Sequence, residues 1–554
     1  MYLRIVKNST GQAYYQLMQS YWSEGRSKQR LLLSLGRVGQ DGEDALDDLA
    51  RVISKYRDVL SVTQLAKEIS VEQTFILGPL LVLEKLFERV GIDDILAEIT
   101  QKHPLLELDL RKTVFTIVAC RFVKPGSKLK IFEHWKKLLY PEMIDTELPL
   151  HHLYRTLDVI AEHKEDIEKS LYWRGRDLLS EPTDIVLYDL TTLRFESTKQ
   201  TEELRRFGFS KEMRTDCTQV VFGLLLNTDG IPLGFEVYPG NTFEGKTLES
   251  IVTKMREKFQ IRRLIFVADR GLFSTKNLVL LKKDGGEFIV GHRLGTMKED
   301  EQDSVYDLNK FTWIVPGALA VFETKTKDGD RLIITWSLVR AERDAKTRQD
   351  ILDKIERKIT KKKVTTKTLV SNRNYHKFLK GLDGGKPEIN KAAIEEVAKK
   401  DGFFGIVTNV KDLSASEIVT NYKELWKIED AFGEIKGTLK TRPMFHWTDK
   451  RIVGHLSVCF LAYLCEAHVT KLLRGKGLSL MSQAIEDGVI KPRQLTVVES
   501  LKELNEIRAV PVKVRGQTIW CRTDIAGNAV ALFRAVGAKI PAKILKIEKP
   551  ADTK

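Results

Sequence analysis

Residues 184–193 read DIVLYDLTTL, a β-prone run with one carboxylate, Asp189, set near its centre. Two further apolar runs follow, Thr218–Leu226 (TQVVFGLLL) and Pro232–Tyr238, joined by NTDG. An Asp-Gly pair between apolar runs signals a hairpin, because glycine supplies the positive φ of a tight turn. Next come a helical stretch over Lys246–Phe259, a short apolar strand at Arg263–Ala268, a helix over Thr275–Lys283 and a strand at Glu287–His292. The order β-β-β-α-β-α-β predicts an antiparallel meander that passes through a helix into parallel strands.

That order is the one of the ribonuclease-H-like fold. The expected class is α/β: a ribonuclease-H-like mixed sheet as catalytic core, interrupted by a mostly β insertion and preceded by a helical domain. The insertion is read over 295–400, where FTWIVPGALAVFETKT and RLIITWSLV suit antiparallel strands and Ala341–Lys363 a charged helix. The α/β texture resumes with FFGIVTN (Phe403–Asn409). One long helix is expected from about Ser416 to Leu439 and an apolar one over Leu456–Leu473. Upstream, Tyr2–Val6, Tyr14–Trp22 and Arg30–Leu35 read as strands and Glu43–Tyr56 as a helix. FILGPLLVLEKLFERV and LRKTVFTIVACRFV carry helical spacing. The expected domains are 1–60 (β-hairpin region), 61–180 (helical, resembling a DNA-binding module and equally readable as a helical packing domain), 181–294 (core, first part), 295–400 (insertion), 401–475 (core, second part) and 476–554, with a hairpin around Val510–Cys521.

The 554 residues carry 90 Lys and Arg against 76 Asp and Glu, a net charge of +14. A basic chain raises the expectation of a polyanionic partner. The N-terminal MYLRIVKNSTGQAYY lacks the apolar centre of a signal peptide. The most apolar helical stretch, Leu456–Cys465, has about half the length that spans a bilayer. The five cysteines show no CxxC, which argues against a zinc finger and for a reducing compartment. A cytoplasmic protein that engages no membrane is expected.

Three acids stand out. Asp189 lies in VLYDLTT and Asp269 ends the strand in LIFVADRG. In open α/β sheets, sites form at the carboxyl ends of strands. A carboxylate among aliphatic neighbours is costly unless it reaches the edge or finds a cation. Each Asp alone also reads as a strand-end cap. The third acid is Glu429, in NYKELWKIEDAFGEIKGTLK. Tyr422, Glu429 and Lys436 are spaced by seven and share a helical stripe, beside an apolar stripe of Leu425, Ile428, Phe432, Ile435 and Leu439. The polar stripe alone also reads as solvated surface.

Asp189, Asp269 and Glu429 in that order, with YKELWKIEDAFGEIK around the last, resemble bacterial insertion-sequence DDE transposases, more narrowly the insertion-sequence-four-like branch. Their signature Y-x2-R-x3-E-x6-K is matched here at Tyr422, Glu429 and Lys436. MYLRIVK with SLGRV, YDLTT, VADRG, DGFFGIVTN and RIVGHLSVCFLAYL extend the likeness over most of the chain. Leu425 occupies the position of the family arginine, so no role carries over for a guanidinium there.

The resemblance implies cut-and-paste transposition, in which terminal inverted repeats are bound, cut and joined to target DNA. It implies catalytic Asp189, Asp269 and Glu429 holding two Mg²⁺, with Mn²⁺ able to substitute and Asp189 as the bridging ligand. It implies DNA contacts by Lys436, Tyr422 and Arg270, with Trp313 and Trp336 as aromatic candidates in the insertion, although both also read as core. A homodimer holding two DNA ends is implied as well. The runs Lys358–Lys367, Arg205–Arg214 and Lys471–Gly477 suit phosphate tracking and also read as solvated charge. His455 is taken as structural. The alternatives are an impaired or domesticated relative that regulates by binding DNA, and a nuclease of the same fold.

Overall fold

The computed structural model describes the chain except residues 1, 24, 39–46, 48–49, 52–53, 55–68, 72, 176–182, 210–215, 244–246, 262, 270, 272–274, 284, 298–301, 303, 361–372, 381–387, 443, 476–480, 487–488, 495–502, 515–516 and 549–554. The chain forms two units. One is Phe75–Ile507 with Ile525–Ile540; the other is Met1–Thr74 with Arg508–Asp524 and Pro541–Lys554.

The larger unit is built on a nine-stranded sheet. In chain order its strands are β1 (Thr183–Arg194), β2 (Gln219–Asn227), β3 (Pro232–Pro239), β4 (Arg263–Ala268), β5 (Glu287–His292), β6 (Thr312–Val315), β7 (Leu319–Lys325), β8 (Arg331–Ser337) and β9 (Phe403–Thr408). Across the sheet they run β6-β7-β8-β9-β5-β4-β1-β2-β3. β1, β2 and β3 pair antiparallel, while β4 lies parallel to β1 and β5 parallel to β4. This is the ribonuclease-H-like core, with β4 and β5 bounded as the sequence predicts.

The insertion contributes β6, β7 and β8, which reach the core sheet through β9. That strand pairs antiparallel with both β5 and β8. The β part of the insertion therefore prolongs the catalytic sheet. Its remainder is largely the 23-residue helix Leu338–Thr360, beside a small cluster of Ile355, Phe378 and Leu379.

Strand residues alternate between the two faces of the sheet. On one face Val186, Phe266, Phe288 and Val407 pack with Ile251, Met255, Phe259 and Leu281 from the helices Thr247–Phe259 and Thr275–Lys283. On the other, Phe222 and Phe235 meet Phe432 and Phe460. Phe460 belongs to the 27-residue helix Asp449–Gly475. This helix is long and apolar enough to cross a membrane, yet 89% of its most apolar window is buried inside the unit. A helix apolar all round is expected at a protein's centre.

Helices Gly78–Val90, Leu110–Val123 and Leu150–Glu162 pack on that central helix. At Gly454 an added Cβ would lie 2.1 Å from the Leu157 carbonyl oxygen, so only glycine permits this crossing. Helix Lys164–Arg174 is tied to the sheet by ions. Buried Glu168 accepts from the Phe235 N–H at 3.0 Å and pairs with Lys164 and Lys258, while Glu236 pairs with Lys164 and Lys254. The helical segment expected as a domain ending near 180 thus shares one unit with the core.

In the smaller unit, Tyr2–Lys7, Ala13–Ser23 and Arg26–Arg37 form a three-stranded antiparallel sheet. The helix expected at Glu43–Tyr56 lies mostly outside the described residues. A second sheet joins Ile69–Val71, Arg508–Val514, Gln517–Arg522 and Ile544–Glu548, and contains the hairpin expected near Val510–Cys521.

Candidate active site

Asp189 and Asp269 are brought together by strand register. Leu187 of β1 faces Val267 of β4. Two residues further along the same face, that register sets Asp189 beside Asp269 at the carboxyl end of the parallel pair. Asp189 Oδ1 accepts the backbone N–H of Leu190 at 2.7 Å, and Asp269 Oδ1 accepts the Tyr422 hydroxyl at 3.4 Å. On the next strand, Val290 faces Ala268, so Gly291 falls in line with Asp269. A Cβ on Gly291 would lie 2.6 Å from the Tyr422 hydroxyl oxygen and 3.3 Å from Phe404, so the glycine makes room for the tyrosine.

Glu429 comes from above this face. A capping box between Ser414 and Glu417 starts helix Ala415–Lys423, and a second helix runs Trp426–Lys436. The single helix expected over 416–439 is therefore two. At the junction the backbone tightens to i→i+3 bonds, with Lys427 N–H on the Glu424 carbonyl and Ile428 N–H on that of Leu425. Tyr422 and Glu429 lie on either side of the break and still face one space. Asp189, Asp269 and Glu429 line the same cleft of about 360 Å³, with Tyr422, Lys423, Leu425, Trp426 and Arg340.

Three carboxylates from three elements, two of them exposed, form an oxygen donor set with room for retained water. That chemistry suits a hard divalent cation such as Mg²⁺. Among the described residues, His103, Glu162 and His163 also bring three ligand atoms within 4.8 Å of one another. There Lys450 sits 3.2 Å from Glu162, and Lys102 lies 3.1 Å from Asp166, which holds His163, so cations already balance those acids.

The other expected residues are less concentrated. Lys436 ends the Glu429 helix and is not among the residues lining the cleft. Arg270 lies outside the described residues. Trp313 pairs with Ala320 and Ala320 with Trp336, and the two tryptophan rings meet edge to face at 5.7 Å. Ala320 and Trp336 belong to the core on the side opposite the cleft, so alternation puts Trp313 on that side too.

Arg205 is buried, and its guanidinium bonds Thr218 and the His446 carbonyl, so it leaves the phosphate-tracking set. Residues 210–214, 361–367 and 476–477 of the basic runs lie outside the described residues. Arg340, Lys423 and Gly291 went unremarked in the sequence. Only the sheet order brings Arg340, three residues after β8, to a cleft built on β1 and β4.

The family model for the transposase DDE domain matches residues 180–465, a span that contains all three acids and the insertion. The chain belongs to the DDE transposase family. The model for the N-terminal domain of IS1634 family transposases matches residues 3–63 of this transposase. It is therefore an insertion-sequence transposase, a divalent-metal-dependent enzyme that acts on DNA. No curated protein matches the chain. Among solved structures, the cryo-EM structure of piggyBac transposase synaptic complex with hairpin DNA aligns over 77% of this chain and 79% of that chain, at 9% identity and a TM-score of 0.34.

In the transposase, a buried cationic cluster anchors the loop after the Glu429 helix. Arg121 donates to the carbonyls of Leu439 and Lys440 at 3.0 and 3.2 Å. Lys128 Nζ lies 2.9 Å from His455 Nδ1, and His455 Nε2 lies 3.3 Å from the Thr441 carbonyl. Burial, Arg121 and the neighbouring histidine and lysine push His455 well below its ordinary value, so it is a neutral, structural imidazole.

Proposed function

We propose that this transposase binds the terminal inverted repeats of its element, cuts at their ends and joins them to target DNA in cut-and-paste fashion. Asp189, Asp269 and Glu429 are the catalytic acids, and Mg²⁺ is the metal they hold. The observation that carries the reading is the meeting of these three acids, from β1, β4 and a helix, in one cleft. A pair of divalent ions supplies activation of the attacking oxygen and stabilisation of the leaving one.

In the first step a water oxygen bonds to phosphorus and the bond to the 3′ oxygen breaks, leaving a 3′-hydroxyl and a 5′-phosphate. In the second, that 3′-hydroxyl attacks a target phosphodiester, so one ester replaces another. The chain's own residues position. Tyr422 orients Asp269, and Gly291 leaves space for Tyr422. Lys436 contacts phosphate beyond the cleft. Two copies acting at paired DNA ends, in the cytoplasm, complete the reading.

As to branch, the match over residues 3–63 favours the IS1634 family. The insertion-sequence-four-like assignment rests on the order of the three acids, the spacing of Tyr422, Glu429 and Lys436, and the insertion between Asp269 and Glu429. Leu425, in the cleft where the signature carries arginine, favours a second reading, a DNA-binding regulator without cutting activity.

Purified wild type with the element's ends decides between them. Mg²⁺-dependent nicking and joining is expected, with Asp189→Asn, Asp269→Asn and Glu429→Gln binding the ends without cutting. Cutting by Asp189→Asn would refute the metal assignment. Binding without nicking by wild type would establish the regulator.

A further inference from the structure

We propose that His103, Glu162 and His163 form a second metal site, which takes Zn²⁺ and clamps the helical segment. Among the described residues, these three bring one ligand atom each within 4.8 Å of one another. None of them lines the cleft that holds Asp189, Asp269 and Glu429, so the site stands whether or not the chain cuts DNA. They arrive from separate places. His103 follows helix Ile92–Lys102, Glu162 ends helix Leu150–Glu162, and His163 joins that helix to Lys164–Arg174.

Two imidazole nitrogens face each other here. His103 Nε2 and His163 Nε2 are 2.8 Å apart, with the rings nearly perpendicular at 87°. His163 is turned this way by Asp166, whose Oδ2 lies 3.1 Å from His163 Nδ1. An ionised carboxylate only accepts, so it takes the Nδ1 proton and leaves Nε2 of the neutral ring as a lone pair aimed at His103. A carboxylate behind a histidine is the arrangement that orients a metal ligand. Zn²⁺ bonds imidazole at about 2.0–2.1 Å, which sets two such nitrogens about 3.3 Å apart in a tetrahedron. Opening the pair by about half an ångström therefore admits the ion. Glu162 supplies an oxygen, and its exposure lets water fill the fourth position.

The neighbouring lysines decide which metal fits. Lys450 at 3.2 Å balances Glu162, and Lys102 at 3.1 Å balances Asp166. The cluster therefore lacks the surplus charge and the oxygen count that Mg²⁺ requires. Two nitrogens and one oxygen suit Zn²⁺ instead. Lys450 and Glu162 are both about half exposed. A pair so exposed is held weakly, and the metal displaces Lys450 into water. With the ion bound, two residues 60 apart in the chain are crosslinked. The clamp fixes the start of helix Lys164–Arg174, whose Glu168 accepts from the Phe235 N–H of β3.

The test uses the full chain carrying Asp189→Asn and Glu429→Gln, so that the cleft contributes little metal binding, titrated with Zn²⁺ by calorimetry. One equivalent is expected to bind, undisplaced by excess Mg²⁺, and the melting temperature should rise with Zn²⁺ and fall back with chelator. In that background His103→Ala with His163→Ala should abolish binding. Glu162→Gln should weaken it by at least about tenfold, and Asp166→Asn by about tenfold. Lys450→Ala should tighten it, because the cation competing for Glu162 is gone. Glu162 and Lys450 lie at the surface, so their variants report even where the histidine variants fail to fold.

Absence of Zn²⁺ binding in the chain with the disabled cleft would overturn the proposal. So would binding of equal strength after Glu162→Gln and Lys450→Ala, which would leave the two histidines as a hydrogen-bonded pair. Nicking activity enters none of these readings, so failure of the transposase reading and failure of this one are told apart.

Discussion

The Tyr422 hydroxyl donates to Asp269 Oδ1 across 3.4 Å, from a position that exists because residue 291 has no side chain. The hydrogen bond limits which way the carboxylate turns. Tyr422→Phe removes the donor and keeps the ring on Phe404. It is expected to slow Mg²⁺-dependent nicking by about tenfold with DNA binding unchanged. Gly291→Ala should do more damage, because its methyl group drives the whole ring aside. Single-turnover nicking rates check both.

Metal binding is measurable without DNA. Trp426 lines the cleft beside Glu429, so its fluorescence should report Mn²⁺ or Mg²⁺ entering. Wild type is expected to titrate. Asp189→Asn and Glu429→Gln should each need at least about tenfold more metal, since each loses a ligand. Equal midpoints in all three proteins would remove these acids from the metal site.

Much of this was legible in the sequence because the core strands are short apolar runs with clear turns between them. Arg263–Ala268 and Glu287–His292 form with the expected bounds, and Asp269 follows from a strand end, Asp189 from its place within a β-prone run. Glu429 was legible through the seven-residue spacing, although that spacing crosses a helix break. Trp313 was misleading because an edge-strand aromatic carries no mark of the face it points to. Arg205 was misleading because a buried arginine satisfied by carbonyls reads like any other in a basic run. Arg340 was illegible because its place depends on β9 pairing with both β5 and β8, a long-range contact with no local pattern.

The crossing at Gly454 gives a stability prediction. Gly454→Ala raises helix propensity by about 1 kcal/mol, yet its methyl would meet the Leu157 carbonyl at 2.1 Å. Backbone cannot rotate away as a side chain does, so the clash should win and cost about 2 kcal/mol or more. A lowered denaturation midpoint is expected. An unchanged or raised midpoint would show that the two helices separate freely.

Lys128 should make stability rise with pH. Burial and the neighbouring Arg121 lower its pKa from 10.5 to about 7, against a smaller opposing effect of Cys459 and Cys120. Between those values the unfolded chain binds the proton and the folded one does not. Unfolding free energy therefore increases from about pH 7 towards 10.5, by up to about 1.4 kcal/mol per pH unit. In Lys128→Met this increment should vanish from the difference between the two proteins' denaturation curves.

Glu466 should act in the opposite direction over a lower range. It is buried in the central helix, with Oε2 lacking a hydrogen-bond partner among the described residues. Burial first, then the charges of Glu434 and Asp430 on the Glu429 helix, raise its pKa from 4.5 to about 8. The folded protein holds this proton where the unfolded chain has lost it. Stability from Glu466 is thus complete below about pH 4.5 and is lost as pH rises through 8, again at up to about 1.4 kcal/mol per unit. Glu466→Gln keeps the shape and has no proton to lose. Relative to the variant, wild type should therefore weaken steadily from pH 5 to 8 in urea titrations. Parallel curves across that range would mean that Glu466 is already charged in the folded protein, and that the helix bearing Glu429 tolerates a carboxylate behind it.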